Sequence, residues 1–169
     1  MYLSSDEKHY FYQHIEPLLE LSDIQKMRQY IQHGNTSCLE HCLTVAYYSY
    51  LIAQHFHFNL DLASLIRGAL LHDFFLYDWH DRNNHISFHG FRHPSIALAN
   101  AKKHFSLTPI EKDIICHHMW PLTPTPPHTK EAYLVCLIDK WCSLKETFHQ
   151  TTDLEILVRY ASYLVPLSA

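Results

Sequence analysis

Three glycines, at positions 34, 68 and 90, are all that this chain of 169 residues contains. Tight turns and bulges draw on residues that tolerate positive φ, so a chain this poor in glycine favours long helices joined by few turns. The apolar spacing agrees. Gly34-Asn35 breaks the chain after a first helical region, roughly 6–33, which Pro17 and Ser22 divide in two. Ser37 and Glu40 have the spacing of a capping box, which starts a helix running to about His55. Asn59 or Asp61 caps the next helix, which carries Leu62, Leu65, Ile66, Ala69 and Leu70. Residues 74–92 read as a long polar loop, and long ordered loops in compact domains tend to be functional. Pro94 suits the first turn of a helix through Phe105. Thr108-Pro109-x-Glu111 combines a cap, a first-turn proline and a capping-box glutamate, starting a helix to about His118. The proline-rich stretch 121–127 cannot be helical. Thr129 restarts a helix to about Phe148, and a short helix from Asp153 closes the chain. The expected fold is all-α, one domain over residues 1–169 with no significant sheet.

Composition narrows the function classes. Apolar residues make up 47%, enough for a real core, and the net charge of −4 argues against a nucleic-acid polymer as partner. Cys38, Cys42, Cys116, Cys136 and Cys142 are odd in number and form no C-x-x-C pair, which fits a reducing cytoplasm and small buried apolar roles. No apolar leader opens the sequence, and no stretch approaches the ~20 apolar residues of a membrane span. A soluble cytoplasmic protein is expected, with a homo-oligomer left open.

The unusual number is sixteen histidines, and spacing must decide which of them matter. His72-Asp73 ends an apolar helix and opens the polar loop, where an unpaired carboxylate would be costly and a divalent metal is one partner that relieves it. Adjacent side chains diverge by ~100° on an ideal helix, but at a helix end the backbone can open and let both face one ion. His41 lies in the first turn of its helix. Asp139 sits among Leu134, Val135, Leu137 and Ile138, where a free carboxylate makes little sense. His93 precedes Pro94, and His117-His118 repeats the adjacent pair at another helix end. Each has a plainer reading. Asp139 could pair with Arg67 or Arg159, His72 could bond a backbone carbonyl, His93 could cap, and one of His117 and His118 could be a bystander. Of the remaining histidines, His80 and His89 are the first to consider, since both follow the His-Asp pair in the loop.

The order His41, His72-Asp73, Asp139 resembles the signature of the HD superfamily of metal-dependent phosphohydrolases. The resemblance runs over roughly 37–146, with Glu40-His41-x3-Val45-Ala46 and Gly68-Ala69-Leu70-Leu71-His72-Asp73 as flanking text. It implies a helical bundle with a metal site between helices. It also implies ligand roles for His41, His72, Asp73 and Asp139 at one ion, and for His93, His117 and His118 at a second, with Asp73 shared. The ligand order is similar to that of the dinuclear HD-GYP phosphodiesterases. Met119-Trp120-Pro121 stands where that family has its Gly-Tyr-Pro residues, and Phe74-Phe75-Leu76 follows the His-Asp pair without a nearby lysine. Small bacterial HD proteins that cleave dinucleoside polyphosphates are similar in length and order.

The chemistry this implies is hydrolysis of a small phosphoester, a nucleotide or phosphodiester, by water activated at two divalent ions drawn from Fe, Mn, Zn, Ni and Co. Asp73 and His72 are the expected catalytic pair, with Arg82, Arg92 and Lys140 as phosphate contacts. The loops 74–92 and 121–128 would meet over the metals as a rim, with Trp79 and Trp120 as apolar walls. Two rivals share the ligand order: a di-iron oxygenase of the same fold, and a non-catalytic nucleotide sensor.

Overall fold

The computed structural model describes residues 1–81 and 88–148. The expected closing helix from Asp153, and Arg82 and Arg159, lie outside the described residues. Within them the chain forms seven α-helices: α1 Ser5–Leu19, α2 Ser22–Lys26, α3 Cys38–His55, α4 Leu62–Leu71, α5 His89–His104, α6 Pro109–His117 and α7 Lys130–Thr147. A 3-10 turn, Met27–Gln29, and a two-stranded hairpin, β1 Ile31–His33 and β2 Thr36–Ser37, complete it.

The starts of these helices follow local chemistry. Ser37 accepts from the Glu40 backbone N–H while the Glu40 carboxylate accepts from that of Ser37, a reciprocal capping box, and Thr108 and Glu111 repeat the arrangement on α6. Asp61 caps α4 through Ser64, and Thr129 caps α7 through Ala132.

Two elements correct the sequence reading. Helix does not continue to His33. Residues 31–37 turn back on themselves as an antiparallel hairpin, with Ile31 opposite Ser37 and His33 opposite Thr36. Of the two turn residues only Gly34 takes a positive φ, 58°, as a two-residue turn with glycine first requires. The second correction concerns α5, which begins at His89 rather than Pro94. Pro94 sits a full turn inside it, where the missing N–H leaves the Gly90 carbonyl without its helical donor. That extra turn places His93 inside the helix instead of at its N-terminus.

The bundle is built around α3 and α4. Helix α3 packs on α4 and α7, α4 also on α6 and α1, and α6 on α7 and α5. In α4 only Leu62, Ala63 and Arg67 escape full burial. Gly68 is the close-approach point, since a Cβ there would meet Ile114 Cδ1 at 2.6 Å and Ile114 Cβ at 3.2 Å. The α4–α6 spacing that carries His72 and His118 therefore depends on a residue without a side chain. Gly68→Val is expected to destabilise the fold by about 1–3 kcal/mol through overpacking, read as a lowered midpoint in urea unfolding.

Candidate metal centre

Five elements bring six polar side chains to one buried point. His41 comes from the first turn of α3, His72 caps the C-terminus of α4 with Asp73 next to it, and His93 lies on α5. His118 caps the C-terminus of α6, and Asp139 lies midway along α7. Exposure is 0% for His41 and His72, 2% for Asp73 and His93, 1% for His118 and 6% for Asp139.

Asp73 divides the cluster into two halves. Its Oδ2 lies 3.4 Å from His72 Nε2 and 3.9 Å from His41 Nε2. Asp139 Oδ1 closes that half at 3.1 Å from His41 Nε2 and 3.6 Å from His72 Nε2. Asp73 Oδ1 faces the other way, 3.1 Å from His93 Nε2 and 3.4 Å from His118 Nε2. In each half the histidine nitrogens and the Asp73 oxygens lie within 4.8 Å of one another.

All four histidines present Nε2 inward because Nδ1 is already committed. His72 Nδ1 donates to the Ala69 carbonyl at 2.7 Å, His93 Nδ1 to the His89 carbonyl at 3.0 Å and His118 Nδ1 to the Ile115 carbonyl at 2.9 Å. His41 Nδ1 donates to Glu146 Oε2 at 2.9 Å. Such partners fix the tautomer and aim a nitrogen lone pair at a metal. Inside the ring of side chains the hydrogen bonding is incomplete. His72 Nε2 and Asp73 Oδ1 are buried without a hydrogen-bond partner. His93 Nε2 and His118 Nε2 stand 2.8 Å apart, which for two Nδ1-protonated rings sets lone pair against lone pair. Cations between these atoms resolve both problems, so the donor set fits two divalent ions. The charges agree. Burial disfavours the ions, yet the flanking imidazoles, His72 and His93 for Asp73 and His41 and His72 for Asp139, hold both carboxyls well below their usual range. Burial lowers His118 to about 4, leaving it neutral. For His41 burial is outweighed by Asp139 and Glu146 on its two nitrogens, which raise it to about 10.

His117 does not join the cluster. Its Nδ1 bonds Asp113 Oδ1 at 2.7 Å, and His128 Nδ1 bonds the same oxygen at 2.9 Å. Two neighbours on a helical stretch diverge by ~100°, and His117, the last residue of α6, and its cap His118 are such neighbours. The other oxygen of Asp113 accepts from the backbone of His128 and Thr129 and from the Thr129 hydroxyl. This knot ties the end of α6 to the start of α7. Burial opposes ionisation of Asp113, but hydrogen bonds from His128, Thr129 and His117 prevail and hold its carboxyl at about 2.

The remaining expected site residues separate. A cavity of about 880 Å³ opens over the His/Asp cluster, lined by Asp73, His93, His118 and Asp139 at its floor and by Trp79, Met119, Pro121, Leu122 and Leu144 on an apolar wall. Lys140 lines it, but its ammonium is bonded to the His118 and Cys136 carbonyls at 2.7 and 3.2 Å. Arg92 is exposed on α5 and is not among the lining residues; nor is Trp120, which packs edge-on against Tyr133. Arg67 pairs with Glu111 at 3.2 Å and leaves Asp139 to the histidines. His89 lines the cavity between Trp79 and His93, stacked at 4.8 and 4.6 Å, with its Nδ1 2.7 Å from the Tyr77 hydroxyl.

Sequence reasoning passed over Glu146 and Gln32. Glu146 had a signal, since it follows Asp139 by seven residues and so shares its helix face. Gln32 had none, because its position depends on a hairpin that was read as helix.

The HD domain family model matches residues 38–143, from the first residue of α3 to the last turns of α7. The chain belongs to the HD domain family, a superfamily of metal-dependent hydrolases. Comparison with curated proteins and with solved structures finds no match. No helix of the described residues is long and apolar enough to cross a membrane.

His93→Ala is expected to lower the metal content of the reloaded protein from two equivalents toward one, while His117→Ala leaves it unchanged; elemental analysis decides. Asp113 adds a pH signature. A depressed carboxyl contributes stability that is complete above its ordinary pKa near 4 and is lost as pH falls toward 2. Asp113→Ala should flatten that acid limb of the unfolding midpoint against pH.

Proposed function

We propose that this protein hydrolyses a small phosphoester with an apolar or aromatic part, such as a nucleotide or phosphodiester. The observation that carries the reading is Asp73, whose two oxygens face separate histidine groups beneath a cavity with an apolar wall. A metal pair in such a site supplies a water ionised near neutrality and a positive charge for the phosphoryl oxygens.

The chain's own residues prepare that chemistry. Asp73 would be the carboxylate shared between the ions, and Asp73 and His72 are the catalytic pair in that they would hold the ion whose water attacks. Ala69, His89 and Ile115 carbonyls and the Glu146 carboxylate hold the four imidazoles in one tautomer. The wall of Trp79, Met119, Pro121, Leu122 and Leu144 receives the apolar part and excludes water from the reacting end. The cavity's volume of about 880 Å³ suits a small molecule.

The runner-up is oxygenation at a di-iron pair, favoured by the same nitrogen and carboxylate donors, which accept iron readily. A panel of nucleotides and simple phosphate esters, tested with the Mn-, Fe-, Co-, Ni- and Zn-loaded protein, separates the two. Turnover is expected for at least one ester. Asp73→Ala should lower it beyond about a hundredfold, since even outer partners of metal ligands cost ~10–100-fold. No turnover with any metal, together with oxygen uptake by the iron form, would replace the hydrolase reading with the oxygenase one.

A further inference from the structure

Gln32 projects from β1 into the cavity beside the shared carboxylate, although no acid–base or ligand chemistry marks it in the sequence. Its side chain is 5% exposed and lines the cavity. Its Nε2 donates to Asp73 Oδ2 at 2.5 Å. A carboxylate oxygen only accepts, so the amide must present its nitrogen there. The other end of the amide, Oε1, is therefore turned away from Asp73, and it is buried with no hydrogen-bond partner. An acceptor left like this costs stability unless a donor reaches it. Asp73 Oδ2 is also the oxygen that faces His72 and His41, at 3.4 and 3.9 Å. Gln32 Nε2 therefore braces the very oxygen that faces the His41–His72–Asp139 half of the centre, and Oε1 is the unpartnered end of the same amide.

We propose that Gln32 is a positioning residue that fixes the Asp73 carboxylate through Nε2 and holds the attacking water of the metal pair through Oε1. One amide does both because it carries a donor and an acceptor on a single planar group. The side chain stays neutral, so it neither competes with Asp73 for charge nor repels it. With metal bound in the His41–His72–Asp139 half, a water on that ion could donate to Oε1, and the hairpin would then help to orient the nucleophile toward the cavity. The direction of attack rests on the hydrolase reading, while the contact with Asp73 and with solvent at the metals does not.

The test uses the full chain loaded with cobalt(II), whose visible spectrum reports the ligand field. Gln32→Leu removes donor and acceptor, and Gln32→Glu keeps the shape and the acceptor but exchanges the donor for a charge that faces Asp73. The expected result is a Gln32→Leu protein with the wild-type circular dichroism, a changed cobalt spectrum and cobalt affinity about tenfold or more weaker. Gln32→Glu should retain both cobalt equivalents with a changed spectrum. On any ester the wild type turns over, both variants should lose about tenfold or more in kcat with KM little moved. If Gln32→Leu loses its helical signal, Gln32→Met, which also lacks donor and acceptor, takes its place. Wild-type spectra and cobalt affinities within twofold in the folded variants overturn the proposal. Absence of ester turnover by the wild type counts against the hydrolase reading and leaves the spectral result to judge Gln32.

Discussion

A carboxylate with almost no access to water has to be surrounded, and Asp73 is 2% exposed. Removing one charge from water costs several kcal/mol unless partners replace the solvent. The structure supplies them from every side. Imidazoles of α3, α4, α5 and α6 face its two oxygens, and Gln32 of the hairpin reaches one of them. The backbone around it is pinned as well. The Cys38 thiol donates to the Asp73 carbonyl at 3.2 Å, and the Asn100 amide donates to the Phe74 and Phe75 carbonyls at 3.2 and 3.0 Å. These bonds let the chain leave α4 abruptly and still present His72 and Asp73 to the same point.

The packing of the bundle serves that convergence. Gly68 lets α4 and α6 approach closely, so that His72 and His118, each at the C-terminus of its helix, come within ring contact at 4.8 Å. The Asp113 knot holds the end of α6 against the start of α7, which fixes the line along which Asp139 and Glu146 reach His41. The polar floor of the cavity draws on the ends of α4 and α6 and on the bodies of α5 and α7, while most of its apolar wall comes from the segments that follow α4 and α6.

Much of this was legible in the sequence wherever a signal was local. The capping boxes at Ser37 and Thr108, and the caps at Asp61 and Thr129, mark helix starts because they satisfy orphaned N–H groups with nearby side chains. The all-α class follows from those starts and from the scarcity of glycine. The misses are non-local. Whether residues 31–37 are helix or hairpin depends on packing against α3 and α7. Pro94 looks like a helix start by propensity, yet α5 extends a turn before it, since the turn carrying His89 and His93 is held by stacking with Trp79. His117 and His118 are equivalent as letters, and only the phase of α6 separates them. Arg92 and Trp120 flank the cluster in sequence but their helix and loop turn them away from the cavity. Nearness along the chain is a poor guide to nearness in a bundle.

Three of the four inward-facing imidazoles are braced by a carbonyl three or four residues earlier in their own helix or helix end, at Ala69, His89 and Ile115. That support is made of main chain, and main chain does not change when side chains are substituted. The aim of these three imidazoles is therefore largely independent of their neighbours' side chains. A lineage can replace the cavity wall, lengthen the loop after Phe75 or recolour the surface while inheriting the metal-holding geometry intact. Such separability allows one helical scaffold to be redirected among substrates by editing its walls, without rebuilding its floor.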